Sequence, residues 1–114
     1  MARVSTPDPL TRRHLLEKTL DPAQALRIGE AYLAEGRRNE AVAFLERADA
    51  REQLEALYGE AISEGDLFLL KASARALGRE PGAEDWRRVG DAAEAAGKLR
   101  YAETASRQTE GGEG

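Results

Sequence analysis

The chain has 114 residues, of which 41% are apolar and only 5% aromatic, with a formal net charge of -4 and a pI near 5.1. That length allows one modest domain, and an apolar fraction carried by Ala and Leu suits closely packed helices better than a sheet core. The acidic balance argues against nucleic acid or an anionic membrane surface as partner and favours a basic or neutral protein, and the lack of cysteine excludes disulfides, thiolate metal sites and a cysteine nucleophile.

The leading MARVSTPDPL carries one arginine but no apolar core of a signal peptide, and nowhere do 18 apolar residues follow one another; a cytoplasmic protein is expected. Residues 1–8 lack periodicity and are expected to be a flexible lead, 9–109 a single helical domain, and 110–114 a disordered tail. Asp8-Pro9 and Asp21-Pro22 each place a capping acid before a proline at the first helical position, where its missing N–H is harmless. Asp49 with Glu52 has the spacing of a capping box, Asp66 follows Gly65, and Glu80-Pro81-Gly82 breaks the chain before Trp86. These signals predict seven helices, over about 9–19, 22–35, 38–48, 51–64, 66–77, 83–96 and 98–109.

The first helix is unpaired and can cover the next hairpin with Leu15, Leu16 and Leu20. The other six read as three pairs. Their first members carry apolar stripes at helical spacing: Ala25/Ile28/Tyr32, Leu54/Tyr58/Ile62 and Trp86/Val89/Ala93. Each stripe sits in a recurring phrase, LRIGEAYLAEG, ALYGEAISEG and RRVGDAAEAAG. The internal glycines Gly29, Gly59 and Gly90 are 30 and 31 residues apart, and the closing glycines Gly36, Gly65 and Gly97 are 29 and 32 apart. Such a period is the mark of a helical repeat array. A glycine inside a helix costs about 1 kcal/mol relative to alanine, so three in one phase predict close approach of each partner helix, and Gly59→Leu is expected to splay the middle hairpin.

The first unit, with Ile28, Gly29, Tyr32, Gly36, Ala41, Leu45 and Ala48, resembles a tetratricopeptide repeat, and the third adds Trp86 at that repeat's leading aromatic position. The period here is shorter than the roughly 34 residues of those repeats, and phrases such as WRRVGDAAEAAGKLRYAE are also similar to the helical-hairpin repeats of coatomer and intraflagellar-transport solenoids. The resemblance implies an all-α, tetratricopeptide-like solenoid of three helix pairs plus an N-terminal capping helix. It implies function only as protein binding, because the shared residues are structural.

No catalytic, cofactor or metal signature accompanies the repeats. His14 is the single histidine, with Glu17 as its nearest candidate co-ligand, and two ligands make no zinc site. Phosphate-cradling glycine loops and nucleophile motifs are missing, and Glu84 with Arg88 and Glu103 with Arg107 read as helix-stabilising pairs. The chain is therefore expected not to be an enzyme and to need no cofactor.

Two surfaces stand out as interaction candidates. The resemblance implies that the residue after each internal glycine faces the concave groove, which puts Glu30, Glu60 and Asp91 in register, with Glu94 and Arg87 beside them and Leu26 and Leu33 as an apolar patch. That groove suits a basic peptide or helix; the competing reading is that the acids only keep these helices soluble. The second surface is the run Leu67-Phe68-Leu69-Leu70, which points around most of a helix. Either this helix is buried on both sides, or Phe68 docks a homodimer or a larger complex.

Overall fold

The computed structural model describes residues 6–17 and 20–111, and among them the chain is all-helical, without a strand. The helices are α1 (Pro9–Glu17), α2 (Pro22–Ala34), α3 (Arg38–Arg47), α4 (Arg51–Glu64), α5 (Leu67–Leu77), α6 (Ala83–Ala95) and α7 (Leu99–Gly111). Expected and observed boundaries differ by a residue or two, and the expected end of α1 at 18–19 lies outside the described residues, as do positions 1–5 and 112–114 of the two termini. The chain divides into two compact units, Met1–Leu54 and Glu55–Gly114, with the division falling inside α4.

Capping acids start three helices as the sequence leads one to expect. Asp8 accepts the N–H of Thr11 at 2.8 Å, Asp66 that of Leu69 at 3.0 Å, and Asp21 that of Gln24 at 3.4 Å. Hydrogen bonding from Thr11 holds the Asp8 carboxyl below its ordinary range.

Helix ends follow one device. The N–H groups of Arg37, Ala50, Asp66, Arg79 and Lys98 each bond the carbonyl five residues back, at 2.7–2.9 Å. The residue before each donor is left-handed: Gly36, Asp49, Gly65, Gly78 and Gly97, with φ between 52° and 77°. This is the Schellman closure, which satisfies carbonyls that the helix leaves orphaned. The recurring closing glycines are thus helix terminators. Asp49 corrects the capping-box expectation: it ends α3 in a conformation that glycine adopts more cheaply.

In the first unit, α2 and α3 form an antiparallel pair. Tyr32 and Phe44 stack with ring centroids 5.7 Å apart, and Ala25, Ala41 and Leu45 are fully buried around them. A Cβ at Gly29 would stand 2.9 Å from Leu45 Cδ2, so this internal glycine does allow close approach. The Tyr32 hydroxyl donates to the carbonyl of Pro7 at 3.1 Å, Arg47 Nη2 to that of Leu16 at 2.6 Å, and the Arg37 guanidinium lies 4.8 Å from the Tyr32 ring. Leu15, Leu16 and Leu20 are half-buried.

The second unit is built from most of α4 with α5, α6 and α7. Arg79, just past α5, donates both Nη atoms to Glu55 near the start of α4, at 2.8 and 2.5 Å, so α4 and α5 run antiparallel. The α6–α7 pair closes tightly at Gly90, where a Cβ would lie 3.1 Å from that of Ala105. Gly59 differs. It is exposed, and a Cβ there would meet nothing within 4 Å, so the expected splaying by Gly59→Leu has no structural basis. The close approach that follows α4 falls at Gly65 instead and is to α6 rather than to its hairpin partner: a Cβ there would stand 2.5 Å from the Ala93 Cα. Tyr58 donates to Asp85 at 2.6 Å and Lys98 Nζ to the carbonyl of Glu64 at 3.1 Å, tying the middle and the C-terminal end of α4 to the start of α6 and the turn after it.

Candidate functional site

The exposure of Phe68, the one aromatic of α5, arises from the phase of the apolar run that contains it. Leu67, Leu69 and Leu70 turn inward and are at most 3% exposed, whereas Phe68 is 69% exposed. Burial on both sides therefore accounts for three of the four residues. Along the same outer face, at i+3 and i+7 from Phe68, come Lys71 and Arg75, both exposed. No acid occurs between Leu67 and Leu77.

Phe68 meets Tyr101 of α7 edge-on, with ring centroids 6.4 Å apart. Tyr101 also lines a shallow depression with Lys98, Leu99 and Arg100, and Leu99 is 64% exposed. Seven residues further along both helices, Arg75 and Gln108 line one cleft of about 430 Å³, together with Lys71, Arg79, Glu80, Pro81 and Trp86. Arg79 is committed elsewhere: its guanidinium is paired with Glu55 and lies 4.8 Å from the Tyr58 ring. The side chains of Lys71 and Arg75 have no hydrogen-bonding or ion-pair partner among the described residues.

The groove residues expected from the repeat fall in both units. Leu26 and Leu33, half-buried, and Glu30, exposed, share one face of α2 in the first unit. Glu60 is exposed on α4. Arg87, Asp91 and Glu94 are brought together on α6, where they line a cleft of about 310 Å³ with Trp86, Gly90 and two α7 residues outside the expectation, Ala102 and Ser106. Arg87 donates to Glu84 at 2.6 Å, so Glu84 pairs at i+3 and not with Arg88 as expected. Arg107 Nη2 donates to the Thr104 hydroxyl at 3.4 Å.

Sequence reasoning passed over Lys71, Arg75, Leu99 and Tyr101. The first two were legible, since a helix with cations and no acids on its outer face can be read from LFLLKASARAL. The pairing of Phe68 with Tyr101 was not, because it joins residues 33 apart in sequence. Among the described residues no three potential metal ligands converge, no helix is long and apolar enough to cross a membrane, and every buried side-chain N or O atom has a partner. Comparison of the chain with protein-family models, curated proteins and solved structures finds no match.

Proposed function

We propose that the chain is a non-catalytic, cytoplasmic protein-binding module, an adaptor or scaffold of tetratricopeptide-like helical hairpins, that docks a protein partner through the outer face of α5. The observation that carries this reading is Phe68. A large aromatic left 69% exposed, beside a half-exposed tyrosine and near a helix whose Leu99 is 64% exposed, gives up burial worth about 1.5–3 kcal/mol per side chain. A covering partner recovers that burial.

A second reading rests on the α6 cleft. Asp91 and Glu94 line it, and Glu60 of the same unit and Glu30 of the first unit are further exposed acids, each able to attract a basic peptide or helix. Preformed helices lose little ordering entropy on binding, and opposite charge speeds encounter.

The test is affinity capture from source-cell lysate with three folded baits: wild type, Phe68→Glu and the triple variant Glu30→Lys/Glu60→Lys/Asp91→Lys. Under the first reading Phe68→Glu loses a protein that the triple variant keeps. Loss from the triple variant alone at low salt, with wild-type capture weakening as salt rises, establishes the second reading. Sedimentation equilibrium of wild type against Phe68→Glu shows whether the partner is another copy of this chain. Identical capture by all three baits overturns both readings.

A further inference from the structure

We infer that the α5 face, with the adjoining edge of α7, takes an acidic segment of a protein partner that carries an apolar side chain. This rests on the docking role of Phe68 and adds the chemistry of what docks. Three observations converge on it. First, the exposed face of α5 reads Phe68, Lys71, Arg75, an aromatic followed by two cations one and two turns on. Second, these two cations are uncommitted, whereas Arg79 beside them is neutralised by Glu55. Third, they open into a cleft with Trp86, Pro81 and Gln108, so a carboxylate there meets cations, an aromatic side chain and an amide donor together.

On a chain of net charge -4, this strip is a local reversal of sign. Glu80 is the acid among the residues lining the cleft, and it lies at the far end, past α5. Lys98 and Arg100 beside Tyr101 extend the positive rim around the aromatic end. From Phe68 to Arg75 is seven residues, about 10 Å along a helix axis. A complementary segment therefore places an apolar side chain on Phe68 and Tyr101 and one or two carboxylates about 10 Å away. That is two turns of a helix, or about three residues of extended chain. Nucleic acid fits poorly, since its affinity grows with the number of phosphates neutralised and this strip offers few cations on a chain of net charge -4.

Trp86 is the chain's single tryptophan and lines both this cleft and the α6 cleft, so its fluorescence reports binding at either, and the Lys71→Ala/Arg75→Ala variant assigns the signal to this one. The full-length chain is titrated with a capped helical peptide of leucine and glutamate, with the same peptide carrying lysine for glutamate, and with inorganic phosphate. The acidic peptide is expected to give a saturable change with Kd below about 1 mM, while the lysine peptide and phosphate give none. Lys71→Ala/Arg75→Ala should weaken the acidic peptide about tenfold, and Phe68→Ala by a similar factor. Equal binding of the lysine peptide, or full affinity in the cation variant with loss only in Phe68→Ala, overturns the acidic partner but leaves Phe68 as a docking residue. Full affinity in Phe68→Ala overturns the docking reading and with it this inference. Saturation by phosphate alone reduces the cleft to a general anion site, and no saturation by the acidic peptide sinks the inference outright.

Discussion

Tyr58 donates its hydroxyl to Asp85 Oδ2 at 2.6 Å, joining the middle of α4 to the first turn of α6 across 27 residues of sequence. Burial of the phenol, reinforced by the neighbouring Asp85 carboxylate that accepts its proton, pushes the Tyr58 pKa well above its ordinary value of 10.0. The folded state therefore keeps a proton that the unfolded chain sheds, so this contribution to stability is intact below pH 10 and declines as pH rises beyond it. Tyr58→Phe is expected to cost about 1.5–3 kcal/mol at neutral pH, because the charged acceptor is left without its donor. It should also flatten the alkaline loss. Urea midpoints at pH 8 and pH 11 check both; a wild-type alkaline loss that the variant shares in full assigns it to other groups.

Gly65 and Gly59 make opposite predictions although both belong to the repeated phrase. Gly65 is left-handed and faces the α6 backbone, so Gly65→Ala combines a strained φ with a steric clash against Ala93. A loss of about 2 kcal/mol or more is expected, seen as a lower melting temperature. Gly59→Ala meets open space inside a helix and should stabilise by about 0.5–1 kcal/mol. If Gly59→Ala is the more damaging of the two, the placement of the close approach is wrong.

Asp49 is the described non-glycine residue with positive φ, and it occupies a helix-terminating position that glycine fills at the four other closures of this type. Relieving its Cβ clash should make Asp49→Gly neutral to about 1 kcal/mol stabilising, whereas Asp49→Val should be clearly destabilising because a β-branched side chain is forced into the left-handed region. Thermal melts of the two variants order the outcomes. A destabilising Asp49→Gly would mean that the Asp49 side chain, and not its backbone geometry, secures this turn.

Glu40 accepts a 2.9 Å hydrogen bond from Arg37 Nε, and this bond, ahead of simple charge attraction, holds its carboxyl below the ordinary 4.5. A depressed folded pKa contributes stability that is present above 4.5 and lost as pH falls through the folded value. Glu40→Gln is therefore expected to be less stable than wild type at pH 7 by a few tenths of a kcal/mol, as for partly exposed pairs, and equal to it near pH 2. Chemical denaturation at the two pH values decides it; a gap that persists in acid points to packing of the side chain rather than its charge.

Helix starts and stops were legible before the fold was known, the closure at Asp49 apart, because most of those signals are local. An acid before proline satisfies the first N–H groups, and a glycine that can turn left-handed ends a helix, wherever the rest of the chain goes. The stripe Trp86/Val89/Ala93 was equally legible, since helical periodicity alone sets which face turns inward, and all three are buried. Local pattern did not distinguish Gly29 and Gly90, each against a neighbouring helix, from Gly59, which faces open space in the same phrase. Nor did it show that Phe68 would be left out of the core while Leu67, Leu69 and Leu70 entered it, or that Tyr101 would lie beside it. Those outcomes belong to tertiary structure, because close approach, exposure and contact depend on which distant helix occupies the space around a residue, and a repeat's own residues do not encode that.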